Sequence, residues 1–191
     1  FRGSNAVVSL AEPDDDASGH RPMVLRDRVG NVLSFESSGW GSRQYPTSQM
    51  GAIALVRQTL LDARWQAGRD GEAPNALTPL ENDSIALWFD VPGELEAIRA
   101  ASMAREFGRS AVVVGSGTEY QRLDALRREA DEGELSLVVP LRFPKAPRVK
   151  SLADTEAIEL DTLMAWEQAP TNPRRVQGAG FDPVLTSSKL P

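Results

Sequence analysis

Short apolar runs alternate with amphipathic stretches along the second half of the chain. "SIALWFD" (84–90), "SAVVVGS" (110–116), "LSLVVPL" (135–141) and "FDPVLTS" (181–187) are continuous apolar segments bounded by turn residues. That pattern predicts buried strands of a parallel sheet covered on both faces. Helical patterns lie between them. "GELEAIRAASMAREFG" places Leu95, Ile98 and Ala101 on one face and stops at Gly108, a residue suited to a left-handed helix end. "TEYQRLDALRREADEG" spaces Tyr120, Leu123, Leu126 and Ala130 at helical intervals, with Thr118 and Gln121 as a capping-box pair and Gly133 as the stop. In "NPRRVQGAG", Asn172 is the cap and Pro173 the first helical residue. Alternation of this kind implies right-handed βαβ crossovers.

The first half is less regular. "NAVVSL" and "NVLSFES" read as strands separated by the polar loop "AEPDDDASGHRP". "SQMGAIALVRQTLLDARWQAG" (48–68) is the strongest helical pattern, with Met50, Ile53, Ala54, Leu60 and Leu61 along one face. "RDGEAPNALTPLEND" follows as a surface connection. The organisation expected is one segment over 1–191, with 1–47 an irregular strand and loop entry and 48–191 a series of βα units.

Composition narrows the function classes. The chain has 191 residues, 41% of them apolar and 25% charged, the balance of a water-soluble globular fold. Its formal charge of −6 argues against nucleic-acid or anionic-membrane partners, and no apolar stretch is long enough to span a bilayer. Zero cysteines exclude disulfide scaffolds, Cys₄ zinc sites and thiol nucleophiles. The chain opens on "FRGSN" and ends on "TSSKLP"; both ends read as cut from something longer.

Candidate chemistry gathers after the strands. In "GSGTEY" (115–120) a strand precedes two glycines and a helix follows, as in a dinucleotide fingerprint, but Tyr120 stands where the third glycine is required. The alternative is a tight βα turn in which Thr118 caps the helix and Glu119 favours its dipole. Asp90 and Glu119 end successive strand patterns and read either as an acid/base pair or as solvated first-turn carboxylates. His20, the one histidine, lies beside Asp14, Asp15 and Asp16 in a loop that reads either as a cation site or as plain surface. A zinc enzyme of the usual sort needs several His or Cys ligands.

"YPTSQMGAIALVRQTLLDARW", "LWFDVPGELEAIRAASMAREFG", "VVVGSGTEYQRLDAL" and "WEQAPTNPRRVQGAGFDPVLTSSKL" together resemble the amidohydrolase superfamily. The pattern is similar to imidazolonepropionase-like members, and closest to the divergent first barrel of large bacterial tandem amidohydrolases. The resemblance implies an α/β fold with parallel strands, an incomplete (β/α)8 TIM-barrel segment whose site lies at the C-terminal strand ends. Active members carry a His-x-His pair on the first strand, histidines after two middle strands and a terminal aspartate. This chain has no His-x-His, and Phe89, Ser116 and Ser188 stand at the other family ligand positions. Neither phenylalanine nor neutral serine replaces imidazole or carboxylate, and without the ion no bound water is activated.

The resemblance therefore implies a non-catalytic segment of a larger bacterial hydrolase, with no cofactor of its own. Zinc or another divalent metal would enter only on ligands from the rest of the protein. Its partners would be the remainder of its own chain, a second barrel or further copies of itself, and family analogy favours a periplasmic or secreted protein. Two other readings stand beside it: part of an active amidohydrolase acting on C–N bonds with ligands elsewhere, and a small-molecule or peptide-binding module. In the last, the pocket is lined by Trp88, Phe89, Asp90, Ser116, Thr118, Glu119 and Tyr120, with Trp40 as a further aromatic wall.

Overall fold

The computed structural model describes residues 3–9, 24–39, 41, 43–69 and 76–187. Asp14, Asp15, Asp16, His20, Trp40 and Ser188 lie outside them. The chain forms two compact units, Phe1–Trp88 and Phe89–Pro191.

In the first unit, β1 (Gly3–Val8) pairs antiparallel with β2 (Val24–Leu33), Gly3 opposite Val32 and Val8 opposite Val24. The register slips between Asn5 and Val7. The observed β2 starts seven residues before the expected "NVLSFES" strand and ends at Leu33, so the sheet begins with an antiparallel hairpin rather than a parallel pair. The outer half of β2 is exposed, whereas Gly30, Asn31 and Leu33 are buried. Buried Asn31 donates its Nδ2 to Pro79 O at 2.8 Å. That bond satisfies the amide nitrogen, while the buried Oδ1 has no hydrogen-bond partner among the described residues.

Helix α1 (Gln49–Ala67) starts where its sequence predicts, with Ser48 Oγ accepting from Gly51 N at 3.1 Å. The expected face coincides with the buried one only at Leu60. Met50 is 81% exposed and Leu61 is also exposed, while Ala52, Val56, Leu60, Ala63 and Gln66 face inward. These residues follow a stripe of period near 3.6, in which alanines count as much as leucines.

Strand β3 (Ala86–Asp90) follows β2 in the sheet, and the division between units falls within it. In the second unit, β3 is followed in sheet order by β4 (Ala111–Val114), β5 (Leu135–Pro140) and β6 (Val184–Thr186). β4 and β5 are parallel, with Ala111 opposite Leu135, and β5 and β6 are parallel, with Val138 opposite Val184. The order advances one strand at a time without reversing, so this sheet has no topological switch point. The fold is mixed α/β.

The strands alternate in burial instead of being covered equally on both sides. Phe89, Ala111, Val113, Leu137 and Val139 are buried, whereas Val112, Val114 and Val138 are only half-buried. Helix α2 (Glu94–Glu106) contributes a stripe of small residues to the core. Ala97, Ala100, Ala101 and Ala104 are buried at i, i+3, i+4 and i+7, while the expected Leu95 is exposed and Ile98 half-buried. The chain leaves α2 through Gly108 at φ +63°, as its sequence indicates. Helices α3 (Leu123–Glu132), α4 (Leu152–Glu156), α5 (Leu160–Gln168) and α6 (Asn172–Gly178) complete the unit. No helix among the described residues is long and apolar enough to cross a membrane.

One close approach in the first unit is set by glycine. Gly30 is buried under the Trp88 indole, and a Cβ built at Gly30 would overlap Trp88 Cδ1 and Nε1. Gly30→Ala should lower the stability of the chain by about 1–3 kcal/mol, the usual cost of overpacking. The double variant with Trp88→Ala should be no less stable than Trp88→Ala alone. Denaturant unfolding of the four proteins checks this.

Candidate functional site

The loop leaving β4 is built around one carboxylate. Glu119 is 1% exposed, and its Oε1 accepts from Ser116 N at 2.6 Å and from Gly117 N at 3.0 Å. Its Oε2 accepts from Asn172 Nδ2 at 2.6 Å, while Asn172 Oδ1 accepts from Tyr120 N at 2.8 Å. Asn172 is itself 1% exposed. Two buried polar side chains thus satisfy each other and three backbone amides, as burial of a carboxylate demands.

Both glycines of the loop follow from this clasp. A Cβ on Gly115 would overlap the Glu119 carboxyl group, so no larger residue fits while Glu119 is turned inward. Gly117 sits at φ +91°, where L-residues with a Cβ are strained.

The geometry corrects three expectations. Thr118 makes no capping bond to a helix; a 3-10 turn over Glu119–Gln121 intervenes, and α3 begins after Arg122. The Thr118/Gln121 capping box is therefore absent. Glu119 is buried, not a solvated first-turn carboxylate. Asn172 is the first residue of α6 rather than its cap, because its side chain is committed to Glu119 and to Tyr120 N, with Thr171 at the cap position.

A second set of bonds runs along the outside of the loop. Thr118 Oγ1 donates to Glu94 Oε2 at 3.0 Å and lies 2.6 Å from Ser116 Oγ. Ser116 Oγ also reaches Glu119 Oε1 at 3.5 Å, so each hydroxyl has a carboxylate acceptor and either can be the donor in the shorter contact. Thr118 N also donates to Ser116 Oγ at 3.3 Å. Ser116 is thus oriented by its own loop, and no imidazole or amine is among its partners to take a proton.

Ser116, Thr118 and Tyr120 line one cavity of about 280 Å³ together with Pro92, Arg142 and Ala169. The other expected lining residues are elsewhere. Phe89 is fully buried in the core of the second unit. Asp90 is exposed at the end of β3, in a different environment from Glu119. Trp88 lines a separate groove of about 860 Å³ with Ser4, Val7, Leu25, Arg26 and Val29 of the first unit. Sequence reasoning did not single out Arg142 or Glu94, which complete the loop's surroundings; their only signal was that each lies just past a strand end.

Among the described residues, no three His, Cys, Asp or Glu side chains gather in a way that could hold a metal ion. The carbon-only, buried ring of Phe89 and the internally bonded hydroxyl of Ser116 do not fit a divalent metal either.

No protein-family model matches the sequence, and no curated protein matches it significantly. Among solved structures, the chain is similar to an amidohydrolase from Thermotoga maritima, with a TM-score of 0.58 over 87% of this chain and 15% sequence identity. The matched region spans 43% of that protein's chain. At this identity the likeness concerns the fold.

If the clasp organises the loop, Asn172→Ala should be the more damaging change there. It strips partners from Glu119 Oε2 and Tyr120 N together and should cost about 2–5 kcal/mol. Thr118→Ala removes one hydroxyl from the half-buried outer set and should cost about 0.5–1.5 kcal/mol. Thermal or urea unfolding gives the ranking.

Proposed function

We propose that residues 1–191 are a non-catalytic, amidohydrolase-like barrel segment of a larger bacterial hydrolase, with a structural or docking role. The observation that carries this reading is the inward clasp of Glu119. The loop after β4, where the superfamily places a metal ligand, is organised by a carboxylate that binds backbone amides and Asn172. Phe89 and Ser116, which the resemblance places at ligand positions, are engaged in packing and in loop bonds respectively. The fold likeness to an amidohydrolase supports the superfamily, and the one-by-one strand order suits part of a (β/α)8 barrel.

A second reading is favoured by the extent of that likeness. The chain matches 43% of the neighbour's length, so a working site assembled on chain beyond this segment would account for the same fold. In that case the segment belongs to an active metal-dependent amidohydrolase acting on C–N bonds, and its own role is again to support.

The two readings agree that this segment alone lacks the activity. After incubation with Zn²⁺, Mn²⁺ or Fe²⁺ and exhaustive dialysis, elemental analysis should find far less than one metal per chain. The same protein should hydrolyse neither linear nor cyclic amides. One retained metal per chain accompanied by hydrolysis would overturn the proposal.

A further inference from the structure

The segment between β5 and α6 is organised unlike the rest of the second unit. Arg142, Lys145, Arg148 and Lys150 put four cations into nine residues, within a chain whose formal charge is −6. Asp154, Glu156, Glu159 and Asp161 follow at once, four anions in eight residues. All eight are exposed except Asp154, which is half-buried and whose Oδ2 accepts from Ser151 N in a capping box. Among the described residues, none of the eight forms an ion pair with another charged group, although five salt bridges are found elsewhere.

The apolar residues of the segment are also turned outward. Neither α4 nor α5 contains a buried residue. On α5, Leu160, Leu163 and Met164 share one side at i, i+3 and i+4, and they are 71%, 38% and 51% exposed. Trp166 beside them is 46% exposed, whereas small Ala165 turns toward the cavity below. A surface helix normally buries its apolar stripe. This one presents it to solvent, together with Phe143, Val149 and Leu152, which marks an interaction surface.

We propose that this surface binds a second copy of the chain across a twofold axis. A stretch that is basic in its first half and acidic in its second is complementary to itself once rotated by half a turn. The cations of 142–150 in one copy then face the anions of 154–161 in the other, twice over. An isologous interface requires this self-complementarity of a single patch. Leu160, Leu163, Met164 and Trp166 of α5 directly adjoin the acidic arm in the chain, so they lose water in the same interface. The inference does not use the Ser116–Glu119 loop, so it stands or falls separately from the proposed function.

Charge reversal tests it. Lys145→Glu, Arg148→Glu and Lys150→Glu together make both arms acidic, and Glu156→Lys, Glu159→Lys and Asp161→Lys together make both arms basic. The unmodified chain should be dimeric by sedimentation equilibrium, and its dimer should weaken as salt screens the arms. Each variant alone should dimerise about a hundredfold more weakly, since like charges then face each other. Mixing the two variants should restore a heterodimer of near-original affinity, which also shows that both are folded. A monomeric parent chain, variants that still dimerise alone, or a mixture that stays monomeric would each overturn the proposal.

Discussion

A carboxylate with 1% of its surface exposed survives only if its oxygens are filled, and Glu119 meets that condition through its own loop and through α6. The bond to Asn172 joins residues 53 apart in sequence. It therefore fixes the start of α6 against the end of β4, and the Asn172 carbonyl, by accepting from Tyr120 N, fixes the 3-10 turn as well. Gly115 and Gly117 are the local cost of this arrangement: one leaves room for the carboxyl group, the other supplies a left-handed bend. Much of the loop's conformation follows from the one inward turn of a side chain.

How far the fold was legible depended on the range over which each determinant acts. Local signals were read well. Ser48 begins α1, Gly108 ends the chain's course along α2 in a left-handed residue, and the four apolar runs of the second half are strands. Helix faces were misread where large residues were taken to mark the core. In α2 the buried stripe is mostly alanine, with Met103: Ala101 is buried as expected, together with Ala97, Ala100 and Ala104, while Leu95 stays exposed. The Thr118/Gln121 pattern misled for a related reason. A capping box is a contest between local bonds, and here the longer-range pairing of Glu119 with Asn172 prevailed, drawing the segment into a 3-10 turn before α3.

The candidate site was legible as a place but not as an arrangement. The sequence brought Ser116, Thr118 and Tyr120 to one loop, and the structure brings them round one cavity. It gave little sign of Arg142, which also lines the cavity, or of Glu94, which bonds to Thr118, since each lies just past a strand end and carries no motif. Nor did it separate Trp88 from the adjoining Phe89. Strand alternation does so: neighbouring side chains on β3 point to opposite faces, one into the core and one onto Gly30.

The division of labour at residue 116 bears on how such a loop can change over time. The clasp engages the backbone N–H of Ser116 at 2.6 Å, whereas the hydroxyl bonds mainly to Thr118 and reaches Glu119 Oε1 only at 3.5 Å. A different side chain at this position would give up the bonds of the hydroxyl, and an imidazole there would still leave its amide on Glu119. Positions 115, 117 and 172 have less freedom, because each is tied to the Glu119 carboxylate. A change of side chain at residue 116 would thus rewire the outer bonds of the loop and leave its inner frame of amides in place.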